Sequence, residues 1–304
     1  MKLMLGESIT SALSGDRRTI ARLLSAIESE SVSIDEIRVQ IEKNKSLKQN
    51  DEDDWESIAI TGPPGVGKSC ICDKLLTNWA KLGHKVVLLA VDPSSPRSGG
   101  ALLGDRIRLS VVDDVNLKDN VFIRSVATRK TSGTVPFVLK DMVDFMLMIG
   151  WDKVIIETVG AGQADIRCAA VGDRIVVVEG PARGDGVQAE KAGLLELADC
   201  VLVNKSDLPG AKKHADEIKE SFELADGHVP EVILVSALKD EGIEQMSDSL
   251  LRLKSSGRSE KAKWRERLLA THERKIMTNP NIEEVLNNLV RGKYGLESAL
   301  EDLL

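Results

Sequence analysis

Seven short runs of apolar and β-branched residues punctuate the middle of the chain, at 57–61, 85–91, 121–126, 153–157, 174–179, 200–204 and 231–235, with helix-length segments between them. Successive positions in each run are apolar, so the strands they predict are covered on both faces. Such strands alternating with helices predict an α/β fold with a doubly wound, mostly parallel sheet. Upstream, Ile20, Leu23, Leu24 and Ile27 recur on one helix face behind Ser14-Gly15-Asp16, a cap region. Ile34, Ile37 and Ile41 mark a second helical piece, and 44–54 is a polar connector. Downstream, Trp264, Leu268 and Leu269, then Ile282, Val285, Leu286 and Leu289, form apolar stripes on charged helices, expected to cover the main domain or a second subunit. The expected organisation is an N-terminal helical extension over 1–50, a sheet domain over 51–250 and a C-terminal helical extension over 251–304.

The first strand runs into Gly62-Pro63-Pro64-Gly65-Val66-Gly67-Lys68-Ser69 and then a helix expected over 70–82. This is the Gly-x-x-x-x-Gly-Lys-Ser phosphate loop in its strand, loop, helix setting, so the sheet is predicted to be of the P-loop NTPase type. Its glycines let backbone N–H groups form an anion-sized nest, and the helix adds the positive end of its dipole. Lys68 is expected to reach the β- and γ-phosphates, and the Ser69 hydroxyl to take one corner of a Mg²⁺ octahedron. The expected nucleotide contacts run from Gly62 through Ser69 to Cys70.

Asn204-Lys205-Ser206-Asp207 closes the sixth run. An Asp carboxylate accepts from guanine N1–H and the exocyclic amine together, a donor pair adenine lacks, so Asp207 predicts a guanine nucleotide. Lys205 offers its stem to the base, and Ser236-Ala237-Leu238 at the end of the seventh run supplies the backbone that faces guanine O6. Glu157-Thr158-Val159-Gly160 follows the fourth run; Glu157 is placed to hold Mg²⁺ and the Gly160 N–H to meet the γ-phosphate. Asp92 and Asp105, with glycines Gly99, Gly100 and Gly104 between them, mark a segment suited to closing on metal and γ-phosphate. The expected reaction is GTP hydrolysis by water, and Gln163 stands where other GTPases position that water.

Charge and cysteine content narrow the partners. With 41 basic against 48 acidic residues the net charge is -7, which argues against nucleic acid and anionic membranes. No apolar run approaches a membrane span, and MKLMLGESIT lacks a signal-peptide core. Cys70, Cys72, Cys168 and Cys200 lack metal-ligand spacing, which fits a reduced, cytoplasmic chain. On a helix Cys70 and Cys72 point about 200° apart, so both are expected as buried small hydrophobes.

Taken in order and spacing, GPPGVGKS, DPSSPRSGGALLGDRIR, IETVGAGQAD and NKSDL resemble the MeaB/ArgK family of GTPases, chaperones associated with methylmalonyl-CoA mutase. The resemblance spans roughly 16–242. It implies a nucleotide-gated partner of an adenosylcobalamin-dependent acyl-CoA mutase, a Mg²⁺ site at Ser69, Asp92, Asp105 and Glu157, and a homodimer formed largely through the C-terminal extension. It also implies that the loop EGPARGDGVQAEKAG responds to the partner. Gln188 and Lys191 match family positions there, whereas Arg183 and Gly186 depart from it. Three apart on an incipient helix, Gln188 and Lys191 share a face and are expected to swing toward the γ-phosphate. Two other readings stay open: a kinase of a transport-system protein, as the ArgK label suggests, and a nickel-delivery GTPase, although His84, His214, His228 and His272 are scattered.

Overall fold

The computed structural model describes residues 2–42, 55–93, 109–128, 139–158, 167, 169–181, 194–223, 229–255, 257 and 260–304. The seven strands are β1 (Ser57–Thr61), β2 (Val86–Pro93), β3 (Val121–Thr128), β4 (Lys153–Glu157), β5 (Arg174–Glu179), β6 (Cys200–Val203) and β7 (Glu231–Leu234). They form one sheet in the order β3-β2-β4-β1-β5-β6-β7, and every pairing is parallel. Parallel neighbours need crossover connections, and the helices that make them cover both faces. β1 lies between β4 and β5, so the loops leaving these three strands gather at one rim of the sheet.

One face carries Ala59, Val87, Leu89, Ile156, Val177 and Val203. Against it lie α5 (Leu139–Met148), α6 (Ala211–Glu223) and the N-terminal helices α1 (Lys2–Leu13), α2 (Arg17–Glu28) and α3 (Ile34–Glu42). The other face carries Ile58, Ile60, Leu88, Val176, Val178 and Leu202, covered by α4 (Lys68–Lys81) and α7 (Ile243–Leu251). α2 begins at Asp16, whose carboxylate accepts from the Arg18 and Thr19 backbone N–H groups, and it buries Ile20, Leu23, Leu24 and Ile27. The N-terminal helices are strapped to the edge strand by Arg17, which donates to Lys118 O and Val121 O at 2.8 and 2.7 Å, and by the Arg124–Glu28 pair at 2.6 Å.

Three further helices follow: α8 (Glu260–Met277), α9 (Ile282–Val290) and α10 (Leu296–Leu303). Of the two covers expected for the α8 stripe, the main domain or a second subunit, the structure excludes the first: the charged side of α8 faces the sheet domain while Trp264 and Leu268 are 63% and 70% exposed. Leu269 is exposed as well, so this stripe does not cover the domain. The reason is what the helix meets. Arg267 donates to Ala170 O and Gly172 O at 2.7 and 3.2 Å, and Lys263 donates to Asp173 O at 3.0 Å, all in the turn leading into β5. Carbonyls shut away from water need donors, and basic side chains supply them where leucines cannot. In α9 and α10, Val285, Ala299 and Leu303 make a small core of their own.

The Lys263 ammonium also lies 3.1 Å from Asp199 Oδ2, with the two side chains 1% and 0% exposed. Removing one partner leaves an uncompensated buried charge, so Lys263→Ala is expected to cost about 3–5 kcal/mol in a chemical denaturation measurement. Lys263→Met combined with Asp199→Asn should recover most of that loss, since no charge is then stranded. A single variant as stable as the parent would contradict the buried pair.

Candidate GTP and magnesium site

The phosphate loop turns immediately after β1. Gly62 has φ +138, and a Cβ there would lie 2.1 Å from Val178 O of the neighbouring strand, so only glycine fits. Gly67, with φ +98, is the N-cap of α4. The helix therefore starts at Lys68, two residues before the expected 70, which puts Lys68 and Ser69 in its first turn. Lys68 is buried and its Nζ curls back over the loop, donating to Gly62 O at 2.7 Å and Pro63 O at 3.0 Å. Pro64 and Gly65 are open to solvent, and Pro63 and Val66 are half-buried.

Ser69 Oγ donates to Glu157 Oε1 at 2.6 Å, joining the phosphate loop to the end of β4. A hydroxyl and a carboxylate in contact at a helix N-terminus are hard oxygen donors. Mg²⁺ keeps several waters and takes only one or two carboxylates with phosphate oxygens, so this pair fits it. Among the described residues no group of three or more His, Cys, Asp or Glu offers an all-protein metal cage. Asp92 lies on β2, which runs two residues beyond its expected end; its side chain and all of Asp105 lie outside the described residues. Gly160, Gln163, Gln188 and Lys191 also lie outside them.

The guanine motif is tied to the phosphate loop by its own side chains. Asn204 Nδ2 donates to Val66 O at 2.8 Å, and Asn204 Oδ1 accepts from Ala237 N at 3.1 Å. One amide thereby fixes the loop after β6 against both the phosphate loop and the turn after β7. Lys205 adopts φ +63 and its Nζ donates to Gly65 O at 2.7 Å. A non-glycine residue held in that region marks a loop over-determined by its surroundings. Ser236 Oγ donates to Asp207 Oδ1 at 2.6 Å, aiming the carboxylate, and Leu238 is open to solvent. Sequence reading missed these cross-ties because they join residues far apart in the chain. It also missed Asp73, one turn beyond Ser69, whose carboxylate accepts from Ser110 Oγ at 2.6 Å and Val111 N at 3.1 Å. An acidic side chain on the buried side of α4 was the available signal.

Cys72 is buried, and burial pushes its thiol well above the usual range. Cys200 is buried with its thiol pushed up for the same reason. Cys70 is exposed, contrary to expectation, because it lies on the side of α4 opposite the buried Cys72, Leu75, Leu76 and Trp79. Cys168 lies outside the described residues. Among the described residues no helix is long and apolar enough to cross a membrane.

A phosphate loop, a carboxylate joined to its serine and an Asn-Lys-x-Asp segment at the end of β6, on an all-parallel sheet, are the parts of a P-loop GTPase. The comparisons agree and narrow the class. The chain belongs to the MeaB family, described as "Methylmalonyl Co-A mutase-associated GTPase MeaB", which it matches over residues 20–291. A Pyrococcus abyssi protein named as a GTPase is 36% identical over 300 residues, 95% of this chain and 86% of its own length. The mouse methylmalonic aciduria type A homolog, mitochondrial, is 31% identical over 255 residues, 79% of this chain and 61% of its own. Among solved structures, a LAO/AO transport system kinase superposes with TM-score 0.65 at 20% identity, covering 100% of this chain and 97% of that one, a likeness of fold.

Proposed function

We propose that this GTPase is the chaperone of an adenosylcobalamin-dependent acyl-CoA mutase of the methylmalonyl-CoA type, gating cofactor loading and protecting the enzyme. The observation that carries the reading is the family match over residues 20–291, joined by the likeness to the mouse homolog. On this reading GTP is held by residues 62–70 and by Gly160, with its base between Lys205, Asp207 and Ser236-Ala237-Leu238. Ser69 and Glu157, with Asp92 and Asp105, hold Mg²⁺, which when bound neutralises charge on the β- and γ-phosphates.

The chain's own groups then do the rest of the work. Lys68 leaves the Gly62 and Pro63 carbonyls for the phosphates, stabilising charge that develops in the transition state. Gln163 orients water, and the loop bearing Gln188 and Lys191 supplies what the free protein lacks once the mutase docks. The exposed Trp264, Leu268, Leu286, Val290 and Leu300 of the C-terminal extension support a homodimer formed there, since large apolar side chains left open on these helices are what a second copy would cover.

The test is single-turnover GTP hydrolysis with and without the mutase. Acceleration of about tenfold or more is expected, because a docked loop completes the charge stabilisation around the γ-phosphate. Equal rates, together with no retention of the mutase on immobilised protein in either nucleotide state, would remove the chaperone role and leave the GTPase intact. Terminal phosphate appearing as free phosphate, not on protein, is the expected product.

A further inference from the structure

The turn after β7 is tied to α4 as well as to the guanine motif. Ser236 N donates to Glu241 O at 2.9 Å and Glu241 N to Ser236 O at 3.2 Å, which closes residues 236–241 into one loop. Gly242 ends it: with φ +72, a Cβ there would lie 2.7 Å from Leu234 O, so the return toward α7 needs glycine. At the root of the loop Ser236 is buried and donates to Asp207 Oδ1, while Ala237 N donates to Asn204 Oδ1. Its tip stands out from the domain, with Leu238 open to solvent and Asp240 in the left-handed region at φ +58. There the Lys74 ammonium, from the second turn of α4, lies 2.5 Å from Asp240 Oδ1.

An ion pair whose side chains are 29% and 67% exposed contributes little to stability. Its effect is on position. The loop meets the guanine motif at Ser236 and Ala237, and it meets the helix that opens with Lys68 and Ser69 at Asp240. We infer that Lys74 is a positioning residue for guanine recognition: by holding Asp240 it keeps the loop seated, with Ser236 Oγ on the Asp207 carboxylate and Ala237 N on the Asn204 amide. Hydrogen bonds weaken steeply when misaligned, so a small swing of this loop changes what Asp207 offers to the base. One helix thereby sets geometry at both the phosphate end and the base end of the nucleotide. The inference deepens the reading of Asp207 as the guanine acceptor and rests on it.

Charge exchange in the full-length protein tests it with GDP and inosine diphosphate, which lacks the exocyclic amine and so gives Asp207 one donor in place of two. Lys74→Glu and Asp240→Lys are each expected to speed GDP release about threefold or more, the scale of an exposed pair turned from attraction to repulsion. The preference for GDP over inosine diphosphate should shrink by a similar factor, because a displaced carboxylate loses its hold on the amine. The double exchange should restore both quantities, a rescue that a general loss of structure cannot give. Single variants with the parent release rate would overturn the inference, as would faster release at an unchanged preference or a loss that the double exchange fails to restore. A parent protein with equal affinity for GDP and ADP would strike the guanine reading itself, whereas a guanine-selective parent with unaltered variants would strike this inference alone.

Discussion

Lys68→Ala is expected to reduce GTP turnover by roughly 10²–10³-fold, the loss that follows removal of one donor aimed at developing transition-state charge. The buried ammonium lies over the Gly62 and Pro63 carbonyls, inside the curve of the phosphate loop. Its move onto phosphate oxygens exchanges two neutral acceptors for charged ones, and charge-assisted bonds are about twice as strong. The gain is largest when negative charge shifts in the transition state, so kcat should fall more than affinity for GDP. Lys68→Arg is expected to fail too, because a bulkier planar fork does not replace a compact ammonium that is buried against the Gly62 and Pro63 carbonyls. Phosphate release at saturating GTP and magnesium measures the effect, with nucleotide titration as the control. Turnover within tenfold of the parent would place the catalytic charge elsewhere.

Asp207→Asn is the second large change, and it acts on specificity. On the proposed reading the parent carboxylate, which Ser236 Oγ orients, is the acceptor for both donors on the guanine edge. Asn presents an amide donor to one of them, so GTP affinity should fall on the order of 10²–10⁴-fold, each lost bond to a charged group being worth about 1.5–3 kcal/mol. Xanthine carries a carbonyl where guanine carries the amine, and the new amide can donate to it. Xanthosine triphosphate should therefore bind the variant better than GTP does. Ser236 can still donate to the Asn side-chain oxygen, and Asn204 still bridges Val66 and Ala237, so the loop itself should persist. The outcome that ends the guanine assignment is a parent protein with equal affinity for GTP and ATP.

Much of this was legible from local rules. Strands covered on both faces are apolar at successive positions, and all seven runs became strands at nearly the expected places. The Asp16 cap and the apolar face of α2 obey the period of a single helix. The phosphate loop is contiguous, with Gly62 required by the backbone beside it and Gly67 by a positive φ.

What the sequence by itself determined, then, is the set of strands and helices, the phosphate loop and the Asn-Lys-x-Asp segment proposed to read a guanine edge, because each depends on neighbours within a few positions. Tertiary structure alone decided the strand order, and with it the meeting of Ser69 with Glu157 and of Asn204 with both Val66 and Ala237. It also decided which side of α8 faces inward, since carbonyls at Ala170, Gly172 and Asp173 drew Lys263 and Arg267 and turned Trp264 and Leu268 outward. The physical reason is the same throughout. Periodicity says which face of an element is apolar, but the partner it meets is set by packing between segments a hundred residues apart, where an unpaired carbonyl or carboxylate outweighs a local stripe.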